Sequence, residues 1–262
     1  MKDELLSMLR NPSTGNSLVF DDGSMLDPQT GESFPIRNGI PVILRKDDVF
    51  GRNRKQQVGY NLFSPLYDLI YKFKIAQKWL AEISEIMEVS SGERVLETSV
   101  GTGQQIRNMQ RNGIDASFYG NDISFGMLRR CQRNMEKWGV DIGLVQGNAE
   151  ALPFQDQLFD VVFHVGGFNF FNDKALAIAE MIRVARPGAK FYIVDESDTI
   201  RDKPGLLGRI ADWYLPSRET FVPPVDLIPE YMRNVKTYEL MDDKFWMVAF
   251  HMPEDHSPSS EG

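Results

Sequence analysis

The chain predicts an α/β fold built on a doubly wound parallel sheet, and three observations carry that prediction. Between residues 93 and 198, apolar strand-like runs alternate with helix-compatible segments, as in a parallel sheet covered on both faces. The first run, residues 94–98, reaches the carboxylate Glu97 and passes through Gly101-Thr102-Gly103 into a helix-compatible stretch. A second carboxylate, Asp122, closes the next run about 20 residues past the turn, the spacing of a fold that holds a ligand's ribose hydroxyls.

Composition bounds the possibilities. With 262 residues the chain holds one sizeable domain, or a medium domain plus a small one. A net charge of −8 argues against broad electrostatic capture of nucleic acid. The single cysteine, Cys131, excludes an internal disulfide and a cysteine-built metal site, and its helix-like surroundings suit a packed thiol. The opening Met1-Lys2-Asp3-Glu4-Leu5 lacks the apolar core of a signal peptide, and no run reaches transmembrane length. A cytoplasmic protein is the expectation.

Taken in order, residues 1–48 are short and turn-rich, with breaks at 11–15, 21–23, 27–31 and 38–39, and read as a small β-rich module. Residues 49–92 form a helical lead-in, with apolar positions repeating at helical spacing through about Glu88. In 93–251, strands are expected at 94–98, 117–121, 142–146, 159–165 and 190–195. Helices are expected at 103–112, 126–137 and 173–185, the last stopped by Arg186-Pro187-Gly188. Prolines and glycines in 199–234 break the alternation and suggest an inserted lid or substrate wall. Residues 235–240 and 245–251 read as a closing antiparallel hairpin, and 252–262 as a polar tail.

A dinucleotide site wants a third glycine for close helix–strand approach, but here Gly103 is followed by Gln104, Gln105 and Ile106. A carboxylate at the strand end with a Gly-x-Gly turn instead resembles the class I S-adenosylmethionine-dependent methyltransferases, with Ser99 where that family has its first glycine. Further elements resemble the same family in the right order: Asn121-Asp122-Ile123-Ser124, Gly147-Asn148-Ala149-Glu150-Ala151-Leu152-Pro153-Phe154, the Phe159–Asp173 stretch, and Glu180 to Gly188. The nearest branch is that of the menaquinone/ubiquinone C-methyltransferases, whose lead-in carries a Tyr-Asp pair like Tyr67-Asp68. The fold implied is a Rossmann-like, seven-stranded methyltransferase sheet. The Phe34-Pro35-Ile36-Arg37-Asn38-Gly39-Ile40-Pro41 ending of the first module resembles a zinc ribbon that activates tRNA methyltransferases. Its ligand positions fall on Asn11, Thr14, Asp27 and Thr30, which offer neither thiolate nor imidazole, so a metal-free degenerate module packed on the main domain is expected.

The resemblance implies S-adenosylmethionine as cofactor, with Tyr67, Glu97, Ser99, Gly101, Gly103, Asp122, Ile123, Asn148, Ala149 and Val165 around it. Asn148 stands where the family has an aspartate, keeping hydrogen-bond capacity but no charge. Methyl transfer is a displacement governed by alignment, and a base is needed only when the acceptor must lose a proton. His164 is the candidate base; a core histidine bonded to backbone is the competing reading, and Asp195 and Glu196 are alternatives. Phe168, Phe170, Phe171, Trp213 and Tyr214 could wall an apolar or aromatic small-molecule acceptor, with C- or O-methylation expected. Two other functions keep the cofactor site: a non-methyl-transfer reaction, and a catalytically silent partner subunit. An RNA acceptor would run against the acidic balance, and a membrane partner is not expected.

Overall fold

A computed structural model describes residues 3–45, 49, 51, 54, 68, 74–198 and 221–255. The chain opens with a short helix α1 (Asp3–Ser7) and an antiparallel meander of β1 (Val19–Asp21), β2 (Ser24–Leu26), β3 (Ser33–Arg37) and β4 (Ile40–Pro41). Its hairpins turn at Asp22-Gly23 and Asn38-Gly39, where both residues of each pair take positive φ. Those pairs are the ones that tolerate the left-handed conformation a two-residue hairpin demands.

Then come α2 (Lys74–Ile86), β5 (Arg94–Glu97), α3 (Gln104–Arg111), β6 (Ser117–Asp122), α4 (Phe125–Trp138) and β7 (Ile142–Gln146). They are followed by β8 (Phe159–Val165), a 3-10 turn (Phe168–Phe170), α5 (Lys174–Val184), β9 (Ala185–Glu196), and the hairpin β10 (Arg233–Leu240) and β11 (Phe245–His251). The seven strands order as β10-β11-β9-β8-β5-β6-β7; the five from β5 to β9 run parallel, and β11 runs antiparallel to both neighbours. The expected strand boundaries hold to about a residue, except at β9 and at β10, which begins two residues early. Arg186-Pro187-Gly188 does not form a separate turn; it is absorbed into β9 as a bulge, because β8 pairs Phe159 with Ala185 and then Val161 with Lys190.

Two apolar layers sandwich the sheet. Val95, Phe118, Leu144, Val161 and Phe163 pack under α2, α3 and α4. Leu96, Tyr119, Val145, Val162, Phe191 and Ile193 pack under α5 and the N-terminal meander. The alternation is the period-2 side-chain pattern of strands buried on both faces.

The second layer explains where the N-terminal module sits. Residues 147–158, between β7 and β8, contain no helix, so that part of the sheet face lacks the cover a doubly wound fold ordinarily gives it. Leu5, Met8, Leu9, Leu18 and Phe34 fill the gap against Leu152, Phe154 and Phe159. Each such side chain contributes about 1.5–3 kcal/mol on burial. Backbone bonds fix the docking: Arg10 N–H to Pro153 O at 3.1 Å, Gln155 N–H to Met8 O at 2.8 Å and Ile43 N–H to Gln146 O at 2.8 Å. The last of these, with the Val42–Gln146 bridge, also covers the otherwise open edge strand β7. Among the described residues no helix is long and apolar enough to cross a membrane.

Candidate functional site

The turn leaving β5 is shaped by what it touches. Gly103 adopts φ +80°, and a Cβ there would lie 2.1 Å from Met135 Cε and 2.9 Å from Cys131 Sγ. A side chain is therefore excluded both by backbone conformation and by the α4 helix. On the other side Val100 rests on Gly120 of β6, where a Cβ would come within 2.8 Å. Gly101, also left-handed at φ +52°, faces open space. Its N–H donates to Asp122 Oδ2 at 2.8 Å, and Ser124 N–H donates to Asp122 Oδ1 at 2.8 Å. Ser124 in turn caps α4 through Met127 N–H.

The sequence-predicted residues Glu97, Gly101, Gly103 and Asp122 thus converge at the carboxyl ends of β5 and β6, where open α/β sheets bind ligands. Glu97 is buried on the helix-covered face, and its Oε2 has no hydrogen-bond partner among the described residues. Burial, reinforced by the charge of Asp122, holds the Glu97 carboxyl well above the ordinary carboxylate range. Burial likewise pushes Asp122 up to about 6, against the downward pull of the Ser124 and Gly101 N–H groups.

The remaining cofactor candidates line the rim. Ser99, Ile123 and Val165 are half-buried, and Asn148 and Ala149 are buried in the loop after β7. Asn148 Oδ1 accepts the Glu150 N–H at 3.0 Å, bracing its own loop. Glu150 Oε1 accepts from Asn172 N–H at 2.7 Å, which ties that loop to the one following β8. Tyr67 lies outside the described residues, as do Trp213, Tyr214 and most of the insertion. Its neighbour Asp68 is described, and it bridges α3 and α4. It accepts from Gln104 Nε2 at 3.0 Å, Asn134 Nδ2 at 3.0 Å and Arg130 Nε at 2.5 Å.

His164 occupies the opposite sheet face from Glu97. Its Nδ1 lies 3.0 Å from Thr98 Oγ1, and its ring stands edge-on to Phe168 and Phe171 at centroid distances of 5.6 and 5.0 Å. Burial pulls its pKa down to about 4, with the Gly166 backbone pulling it slightly the other way. The imidazole is therefore neutral at pH 7. Asp195 is anchored otherwise: its carboxylate accepts from the N–H groups of Asn169 (2.5 Å), Glu196 (2.9 Å) and Gly167 (3.2 Å), pinning the 3-10 turn above β8. Those bonds brace the loop, while burial pushes the Asp195 pKa up to about 6. Burial, then the Asp195 charge, raises Glu196 to about 8.

Two residues went unselected by sequence reasoning. Asn121 is fully buried and donates from Nδ2 to Thr98 O and Gly147 O, both at 3.2 Å, locking the loops after β5 and β7 together. Thr98 joins the turn to His164. The available signal was a polar side chain inside, or directly after, an apolar strand run.

Residues 96–193 match a family model described as a methyltransferase domain. A ubiquinone/menaquinone biosynthesis C-methyltransferase UbiE of Stenotrophomonas maltophilia is 30% identical over 177 residues, which cover 64% of this chain and 66% of that protein. The chain thus spans just under two thirds of that relative's length. A phthiotriol/phenolphthiotriol dimycocerosates methyltransferase of Mycobacterium ulcerans is 38% identical over 105 residues, 40% of this chain and 38% of that one. The structure of an S-adenosyl-L-methionine-dependent methyltransferase candidate from Methanococcus maripaludis superposes with a TM-score of 0.58 at 20% identity. It covers 75% of this chain and 94% of that one, a likeness of fold.

Proposed function

We propose that this chain, whose central region is a class I S-adenosylmethionine-dependent methyltransferase domain, methylates a small lipophilic, aromatic acceptor at carbon or oxygen. The observation that carries the proposal is the convergence of Glu97, Gly101 and Asp122 on one strand edge, with Glu97 Oε2 buried and unpartnered. A buried acceptor without a donor is costly unless a ligand supplies one. The residues fit the cofactor on that ground.

Bound there, S-adenosylmethionine supplies an electrophilic methyl group on a sulfonium sulfur. Asp122 holds the ribose hydroxyls, since each of its oxygens accepts only one backbone N–H and keeps a lone pair. Glu97 accepts from a further cofactor donor, and Gly101 keeps the turn free of side chains. Ser99, Gly103, Ile123, Asn148, Ala149 and Val165 complete the cofactor surroundings; Tyr67, expected there too, lies outside the described residues. Phe168 and Phe171 exclude water on the acceptor side. His164 takes the proton the acceptor releases, because its ring is neutral at pH 7.

The names of the relatives favour lipophilic acceptors: one is a quinone-biosynthesis C-methyltransferase, the other acts on a dimycocerosate. The net charge of −8 speaks against nucleic acid as acceptor and suits a cytoplasmic protein. In the same reading residues 1–48 are a ribbon-like module whose metal positions were overwritten. Asp27 is the hub there, taking bonds from all three other positions: the Asn11 and Thr14 side chains and the Thr30 N–H.

Calorimetry with S-adenosylmethionine and S-adenosylhomocysteine tests the cofactor assignment. Turnover on a reduced, ring-demethylated naphthoquinone tests the acceptor class. Absence of heat at about 100 µM cofactor would remove the enzyme reading.

A further inference from the structure

The strand edge holds a second polar pair that the cofactor site does not use. Thr98, 1% exposed, follows Glu97 directly, but it turns toward the opposite face of the sheet, where His164 is fully buried. Its Oγ1 lies 3.0 Å from His164 Nδ1 and 3.4 Å from the Phe163 carbonyl. A carbonyl oxygen only accepts, so Thr98 Oγ1 can serve both neighbours at once only with its proton turned to Phe163. The hydroxyl oxygen is then left to accept from the ring. His164 Nε2 has no partner among the described residues and sits beside Phe168 and Phe171.

We infer that Thr98 is a positioning residue that holds His164 as the Nδ1–H tautomer and leaves the Nε2 lone pair bare toward the acceptor side. The inference rests on the reading of His164 as the base of the reaction, and it adds the group that sets which nitrogen can act. The Thr98 backbone is itself fixed on both sides. Its N–H donates to Phe163 O at 2.9 Å, and its carbonyl accepts from the buried Asn121 amide at 3.2 Å. The hydroxyl is thus presented from a rigid turn. A histidine whose second nitrogen is fixed by such a donor–acceptor pair keeps one ring orientation and one protonation pattern. The order along the chain then has a chemical sense: adjacent residues Glu97 and Thr98 face opposite ways, one toward the cofactor and one toward the proton acceptor.

The test needs no acceptor substrate. The sequence holds three histidines, His164, His251 and His256, so long-range 15N–1H imidazole spectra resolve them, with His164→Gln assigning the signal. The expected wild-type pattern at pH 7.5 is one slowly exchanging Nδ1–H tautomer with an unprotonated Nε2. An Nε2–H tautomer, or a fast-exchanging mixture, overturns the inference. Thr98→Val should abolish the single-tautomer signature, Thr98→Ser should restore it, and cofactor affinity should stay within about threefold for both. A Thr98→Val spectrum matching wild type also overturns the inference; if that variant fails to fold, the wild-type tautomer alone decides. With the reduced naphthoquinone, Thr98→Val should lower kcat about tenfold with KM unchanged, a fraction of what a general base supplies. Should His164→Gln keep full turnover, the base reading fails while the tautomer result stands by itself, so the two are separable.

Discussion

Two buried carboxylates, in two regions of the molecule, differ in how many donors the fold places around them. In the N-terminal meander Asp27 is fully buried and accepts from Asn11, Thr14 and Asn16 side chains and from the Gln29 and Thr30 N–H groups. Desolvation pushes its pKa up, but the bonds from Asn11, the Gln29 amide, Thr14 and Asn16 outweigh it and hold the carboxyl below its ordinary range. At the end of β5, Glu97 is buried almost as deeply with one oxygen unpartnered, and its carboxyl is held above the ordinary range. A carboxylate ringed by donors, and so saturated, is held in its charged form, whereas burial with an unpartnered oxygen biases an unsaturated one toward its neutral form. Burial alone does not separate the two cases, whereas the inventory of donors does.

The largest expected effect tests the acceptor side of the unsaturated region. His164→Gln should lower turnover about 100-fold or more while leaving cofactor affinity intact, as single-turnover kinetics and calorimetry would show. Full activity would mean that the acceptor needs no base. Next, Asp122→Ala should weaken cofactor binding by about 1–3 kcal/mol, roughly 5- to 150-fold by calorimetry. Unchanged affinity would remove the ribose role.

The pKa of Asp122, raised to about 6, gives that contrast a pH signature. Cofactor affinity should fall about tenfold for each pH unit below 6 as the carboxylate takes up a proton. The unliganded fold responds with the opposite sign. A group whose pKa is raised on folding stabilises fully below its unfolded value near 4 and loses that contribution as pH rises through 6. Asp122→Asn should therefore flatten both curves, and a variant that keeps the wild-type slopes would reassign the titration.

Smaller effects test the saturated side. Asp27→Asn places an amide opposite the donors of Asn11 and Asn16, and should lower the Tm by roughly 5 °C in a thermal scan without altering cofactor affinity. Loss of cofactor binding at native-like stability would show that the meander takes part in the site. Smallest of all, Glu97→Gln should leave the unliganded protein about as stable as wild type, because an amide replaces a carboxyl that burial already biases toward its neutral form. A marked loss of stability would mean that Glu97 is satisfied as Asp27 is.

Much of this was legible in the sequence because it is local. Strand–helix alternation, the Asp22-Gly23 and Asn38-Gly39 hairpins, and the left-handed glycines of the β5 turn follow from side-chain period and permitted φ, which each residue carries with it. The spacing from the turn to Asp122 placed both at one strand edge, and the hydrogen bond from Gly101 bears out that placement. The helix stop expected before Arg186-Pro187-Gly188 holds, since α5 ends at Val184, but no separate turn follows because pairing with β8 absorbs those residues, and register is not a local property.

What the tertiary structure alone decided concerns groups far apart in the chain. The meander covers a sheet face only because residues 147–158 form no helix, and Leu9 must meet Phe154 for that to be visible. Thr98 reaches His164 across 66 positions, and Asp195 turns out to brace the 3-10 turn after β8. The physical reason is common to all of them. Whether a polar atom is satisfied depends on which partners folding brings within about 3 Å, and sequence order does not carry that distance.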